Sequence, residues 1–220
     1  MSIHLNMLID MHIHTSFSPC SIISIPYLLE RAQEVGLDGI CITDHDTTAS
    51  KYAFEDIADN SGLCVIIGIE YTTPKGDFLV FGPVDHIPED MDAPQLIKWV
   101  HKQKGVVIAA HPFRKYRSVD PQCLQLSTII ESINGRNLPY EDDLCKNWLQ
   151  QHGNGIKEIG GSDAHTIEEI GQVVTAFQKN IYNIDDLIYE LQSGNYSPLK
   201  RQTQEIIKIQ LIRDDPKIAP

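Results

Sequence analysis

The chain has 220 residues, 42% of them hydrophobic, and a formal net charge of −12 at neutral pH. That length suits one α/β unit with a sizeable core, and no run of about 18 apolar residues occurs, so no transmembrane helix is expected. The acidic balance repels nucleic-acid backbones and acidic membranes, so stable binding to either is not expected, although a local basic patch can still hold a small phosphorylated molecule.

In chain order, an apolar run at LIDMHIH predicts a first strand. IPYLLERAQEVG then predicts a helix with Pro26 in its first turn and Gly36 at its end. ICIT predicts a second strand, followed by a helix through SKYAFEDIAD. CVIIGIE reads as a strand, and FLVFG, after the turn TPKGD, as an added hairpin strand. APQLIKWVHKQKG predicts a helix feeding the strand VVIAA. The loop FRKYRSVDPQ leads to the strand STIIES, and EDDLCKNWLQQHG predicts a helix before IKEIGG. The short run VVTAF precedes a helix at NIDDLIYELQSG, and IIKIQLI alternates as a half-exposed strand would.

Strand-then-helix alternation predicts parallel strands in an α/β barrel or open sheet. Residues 1–220 read as a single domain, with a core of about 8–200 and a strand-like extension over 201–220. The five cysteines are odd in number and lack CxxC spacing, which fits a reducing cytoplasm. MSIHLNMLID lacks the basic and long apolar regions of a signal peptide.

Six of the apolar runs end in residues that bind metals. Their tips carry Asp10, His12 and His14; Asp44 and His45; Glu70; His111; Glu131; and Asp163 with His165. In an extended chain Asp10, His12 and His14 project from one face, and Asp163 and His165 repeat that spacing after two glycines. Imidazoles and carboxylates gathered at one rim predict a polynuclear metal centre, and the donor types admit zinc, iron or manganese alike. Glu70, at the end of a buried run, is the expected bridging carboxylate. His4, His86, His101 and His152 lie off the tips and read as surface or boundary residues.

In these motifs the chain resembles the polymerase and histidinol phosphatase (PHP) family of metal-dependent phosphoesterases. DMHIHTSFS, ITDHDT, GIE, AHPF and GSDAH occur in the family's order over roughly residues 8–170. The resemblance implies a distorted (β/α)7 barrel with two or three divalent metals at the C-terminal ends of its strands. It implies that His12, His14, Glu70 and Asp163 hold one metal, that Glu70, His111 and Glu131 hold a second, and that His45 and His165 hold a third. The family's further third-site ligand is replaced here by Ser18-Pro19-Cys20, where Cys20 supplies a thiolate or the site is incomplete or filled by water.

A close metal pair acidifies a shared water and holds phosphoryl oxygens for in-line displacement. The expected reaction is attack by that metal-bound hydroxide on a small phosphate ester of the nucleotide or sugar phosphate class. Asp10 and Asp44 are expected to orient ligand histidines, with proton transfer as a second role for Asp44. Arg114 and Arg136 are the candidate substrate-binding groups, while Lys115 and Arg117 read as loop charge. Alternatives are a protein phosphotyrosine phosphatase, an amidohydrolase-type metal hydrolase and a non-catalytic PHP module. Oligomeric state is not legible in the sequence.

Overall fold

A computed structural model describes residues 6–55 and 61–202. His4 and the strand-like IIKIQLI lie outside the described residues, as does the end of the SKYAFEDIAD helix. Among the described residues ten strands are formed: β1 (Met7–Ile13), β2 (Gly39–Ile42), β3 (Cys64–Ile67), β4 (Ile69–Thr73), β5 (Gly76–Phe81), β6 (Val106–Ala109), β7 (Ile129–Asn134), β8 (Lys157–Gly161), β9 (Val173–Phe177) and β10 (Tyr196–Lys200). Among the same residues six α-helices accompany them: α1 (Ile25–Glu34), α2 (Ser50–Glu55), α3 (Ala93–Lys102), α4 (Pro121–Leu126), α5 (Pro139–His152) and α6 (Ile184–Ser193).

The strands form two mixed five-stranded sheets, ordered β10-β9-β1-β2-β3 and β4-β5-β6-β7-β8. The parallel order expected of the strand-helix units holds for β1–β2–β3 and β6–β7–β8, and the expected hairpin strand is β5, but β9 departs from that order. β5 runs antiparallel to both β4 and β6, and β9 runs antiparallel to β1 and β10. No closed sheet is formed among the described residues. The sheets instead meet at two seams, through the bridge between His45 and Glu70 and the bridge between Ile13 and Ala164.

Local chemistry accounts for the helices. Pro26 occupies the first turn of α1, and Gly36 just beyond its end adopts φ 72°, a left-handed conformation that glycine enters without steric penalty. Asp92 caps α3 by accepting from Gln95 N at 2.9 Å. The expected loop after His111 contains an unforeseen helix, α4, which Asp120 caps from the residue before Pro121.

Between the sheets lies a core that includes Ile9, Met11, Cys41, Leu79, Phe81, Ile108, Ile159 and Phe177. Separate clusters pack α3, α4 and α5 on one sheet and α1 on the other. Two register shifts decide what faces the centre. The β1–β2 pairing slips between Asp10 and Ile13, and the β7–β8 pairing slips between Glu131 and Ile133. Such irregularities re-aim side chains. Ile9 and Met11 face the inter-sheet core, yet Ile13 packs with the α1 cluster, leaving His12 and His14 to point into the rim.

Candidate metal centre

At the rim the tips converge. Glu70 Oε2 lies 3.0 Å from His14 Nε2, 3.3 Å from His12 Nε2 and 3.2 Å from His45 Nδ1. Its other oxygen, Oε1, lies 2.9 Å from His111 Nε2. Asp163 Oδ1 approaches the same pair of rings, 3.3 Å from His14 Nε2 and 3.6 Å from His12 Nε2. Among the described residues three groups have donor atoms close enough to share a cation: His12–His14–Asp163, Glu70–Asp77–His111 and His14–His45–His165.

Hydrogen bonding sets the ring tautomers. Ser18 gives its one hydroxyl proton to Asp44 Oδ1 at 2.7 Å. Its oxygen accepts from His45 N at 3.0 Å and faces His14 Nδ1 at 3.3 Å. The His14 Nδ1–H must therefore be the donor, leaving a lone pair on Nε2 at the centre of the cluster. Glu131 does the same for His12, with Oε1 3.1 Å from Nδ1, and the Asp163 carbonyl does so for His165 at 2.8 Å.

The electrostatics match. Burial alone would push the Glu70 and Asp163 carboxyls up, but the surrounding histidines hold both well below the usual carboxylate range. For His12, burial would lower the ring; Asp163, Glu131 and Glu70 reverse that and raise it well above normal. Burial brings His45, which has fewer partners, down to about 4. Buried imidazole lone pairs and ionised carboxylates that together favour positive charge fit a divalent cation among the donors. His111 and Asp163 have positive φ values of 28° and 54°, strain of the kind held at functional positions.

Several expectations are corrected in place. Glu131 falls outside all three groups. Besides His12 it accepts the His111 backbone N–H at 2.8 Å, so it holds two candidate ligands from behind. Its expected place beside Glu70 and His111 is taken by Asp77. That residue is not at the end of an apolar run: β5 is antiparallel and delivers its first residues to the rim where its neighbours end. Cys20 is exposed and belongs to none of the groups. Asp10 does not touch an imidazole ring. The shift in β1 turns it aside, to accept from Ser162 N at 2.9 Å and Gly171 N at 2.9 Å, and burial raises its carboxyl to about 6. Asp44 acts on His14 only through Ser18. It also accepts from Thr15 N and Thr15 Oγ1, both at 2.7 Å.

Of the basic residues, Arg114 sets Nη2 2.7 Å from Asp163 Oδ2. Arg136 stands at the outer edge, 42% exposed, with Nε 3.7 Å from Glu169. Arg117, read as loop charge, pairs with Asp77 at 3.0 Å. Asn134 was also missed. Fully buried, it donates to Glu131 Oε2 and Asp163 Oδ2 and accepts from Arg114 Nη2 and Arg136 N, using all four of its hydrogen-bonding positions.

A family profile described as PHP domain matches residues 10–209. The uncharacterized protein MJ1587 of Methanocaldococcus jannaschii is 28% identical over 114 residues, 47% of this chain and 67% of that protein. MJ0417 of the same organism is 26% identical over 217 residues, 92% of this chain and 83% of its own. A phosphoribosyl 1,2-cyclic phosphate 1,2-diphosphodiesterase of Eggerthella lenta is 34% identical over 64 residues, covering 29% of this chain and 24% of that enzyme. PsfC from Pseudomonas syringae superposes with a TM-score of 0.71 at 19% identity, covering 94% of this chain and 97% of its own. A Bifidobacterium adolescentis protein, provisionally described as a metal-dependent phosphoesterase, superposes with a TM-score of 0.61 at 18% identity over 84% of this chain and 96% of that one. At these identities the structural likenesses show a shared fold. Among the described residues, no helix is long and apolar enough to cross a membrane.

Proposed function

The chain belongs to the PHP domain family, and from that premise we propose that it is a metal-dependent phosphoesterase acting on a small phosphate ester of the nucleotide or sugar phosphate class. One observation carries the reading: Glu70 divides its oxygens between two donor groups, as a carboxylate shared by two cations can. The name of the Eggerthella lenta relative, a cyclic-phosphate diesterase, supports phosphorus as the centre attacked. The two sheets, bridged at both seams, support the reading of a distorted (β/α)7 barrel with the site at its rim.

We favour two ions over three. His14 Nδ1 is committed to Ser18, so its single remaining lone pair can serve the group with Asp163 or the group with His165, but not both at once. His12, His14, Asp163 and Glu70 would hold one ion, and Glu70, Asp77 and His111 the other. Zinc, manganese and iron all suit these donors. The ions would supply Lewis acidity and an acidified water.

The chain's own residues orient and balance charge. Glu131 and Ser18 keep the His12 and His14 lone pairs aimed inward. Arg114, tied to Asp163, brings a guanidinium to the edge where phosphoryl oxygens would lie, and Arg136 extends the basic edge outward. This edge favours a phosphate ester over the cyclic amide of an amidohydrolase-type substrate.

The test is a phosphate-release screen with apoprotein reconstituted separately with manganese, zinc and iron, run beside a cyclic-amide panel. Release from small phosphate esters is expected. Turnover confined to amides, or to phosphotyrosyl proteins, would overturn the reading.

A further inference from the structure

The segment from His111 to Val119 folds back on itself: Arg114 N bonds His111 O, Arg117 N bonds Arg114 O and Val119 N bonds Pro112 O, at 3.0, 3.1 and 3.0 Å. It thereby sends one guanidinium to a carboxylate of each of two donor groups, Arg114 to Asp163 and Arg117 to Asp77. The two are held very differently. Arg114 is 19% exposed and makes three contacts, to Asp163 and Asn134 through Nη2 and to Asn137 through Nε. Arg117 is 44% exposed and, among the described residues, has one, from Nε to Asp77 Oδ2 at 3.0 Å.

We propose that Arg117 is a metal-responsive anion clamp: it neutralises Asp77 while the Glu70–Asp77–His111 group holds no divalent cation, and turns toward a phosphoryl oxygen when that group is loaded. A divalent cation competes with the guanidinium for the charge of Asp77 and repels it. Arg117 has a single contact to give up and open solvent to move into, whereas Arg114 is anchored three times and stays. The freed guanidinium offers two-point donation to phosphate beside the group that has just been filled. Loading the metal site thus prepares the substrate site. The identity of the anion rests on the phosphoesterase reading; the exchange at Asp77 does not.

The test uses manganese and inorganic phosphate as probes in isothermal titration calorimetry on the full chain. In Arg117→Gln the weakest-bound manganese equivalent should bind about tenfold more tightly than in the unaltered protein, because its competitor is gone. The manganese-loaded variant should bind inorganic phosphate about tenfold more weakly. Arg117→Lys keeps the charge and loses the fork, so manganese affinity should stay near the unaltered value while phosphate binding weakens. Lys115→Gln, which removes a charge two residues away, corrects for the general change in field. Unchanged or weaker manganese binding in Arg117→Gln, or unchanged phosphate binding in both variants, overturns the proposal. Neither readout needs turnover: both shifts in a protein that cleaves no phosphate ester would sustain the clamp while refuting the activity, and turnover without the shifts would do the reverse.

Discussion

Oε1 of Glu131 lies 3.1 Å from Nδ1 of His12, on the side of the ring that faces away from Glu70 and Asp163. A carboxylate in that position fixes the tautomer and raises the basicity of the opposite nitrogen. Glu131→Ala should therefore weaken manganese binding by about 10–100-fold without changing the number of ions bound. Calorimetric stoichiometry decides the matter; loss of a whole equivalent would make Glu131 a ligand after all.

Much of this site was legible because metal donors are rare at the ends of apolar runs, and His12, His14, His45, Glu70, His111, Asp163 and His165 all meet as that rarity implied. Side-chain direction was not legible. The alternation that placed Asp10 beside His12 and His14 assumes an unbroken strand, and the register shift after Asp10 breaks it. The slip beyond Glu131 likewise conceals Asn134, which follows the predicted tip. Asp77 follows from the expected hairpin, whose returning strand brings its first residues to the rim, but it escapes a reading confined to the ends of apolar runs. The hairpin strand expected at FLVFG is formed as β5, whereas the antiparallel run of β9 was not legible, since alternation of strand and helix does not show a reversal of direction.

Removal of the shared carboxylate should separate binding from folding. Glu70→Ala should reduce phosphate release by at least about a hundredfold. Because Glu70 lies among histidines whose charge it offsets, its loss leaves a cationic cage that also binds manganese poorly. Chelation of the unaltered protein should abolish release, and added manganese, zinc or iron should restore it. Full activity in Glu70→Ala, or indifference to chelation, would remove the bridging role.

Glu141 links α5 to the arginine-bearing segment. It accepts Leu138 N and Lys115 N, each at 2.9 Å, and although burial works against the charge, those bonds hold its carboxyl below the ordinary 4.5. With a folded value below the unfolded one, the stabilisation is complete above the unfolded value and is lost as pH falls through the folded value. Glu141→Gln should lower stability by about 1 kcal/mol at pH 7, and the difference should shrink well below pH 4.5. Thermal melts across that range give the answer; a deficit that does not change with pH would mean the charge contributes nothing.

The glycine pair before Asp163 has a steric purpose that can be tested. A Cβ on Gly161 would stand 2.5 Å from His12 Cβ and 2.8 Å from Glu131 Oε1, so β8 can lie this close to β1 only without a side chain there. Gly161→Ala must push β1 and β8 apart, or displace the ring of His12 together with the carboxylate that steadies it. Overpacking of this kind destabilises by about 1–3 kcal/mol, and here the displaced atoms include a candidate ligand, so manganese affinity should fall with the melting temperature. Gly155→Ala supplies the contrast. Its φ of 85° makes a side chain strained, but nothing lies within 4 Å of the added carbon. It should therefore lose about 1 kcal/mol of stability with manganese affinity intact. If Gly161→Ala kept full affinity while melting early, the close approach of the two strands would serve stability alone, and the His12 position would tolerate more freedom than its contacts with Glu131 imply.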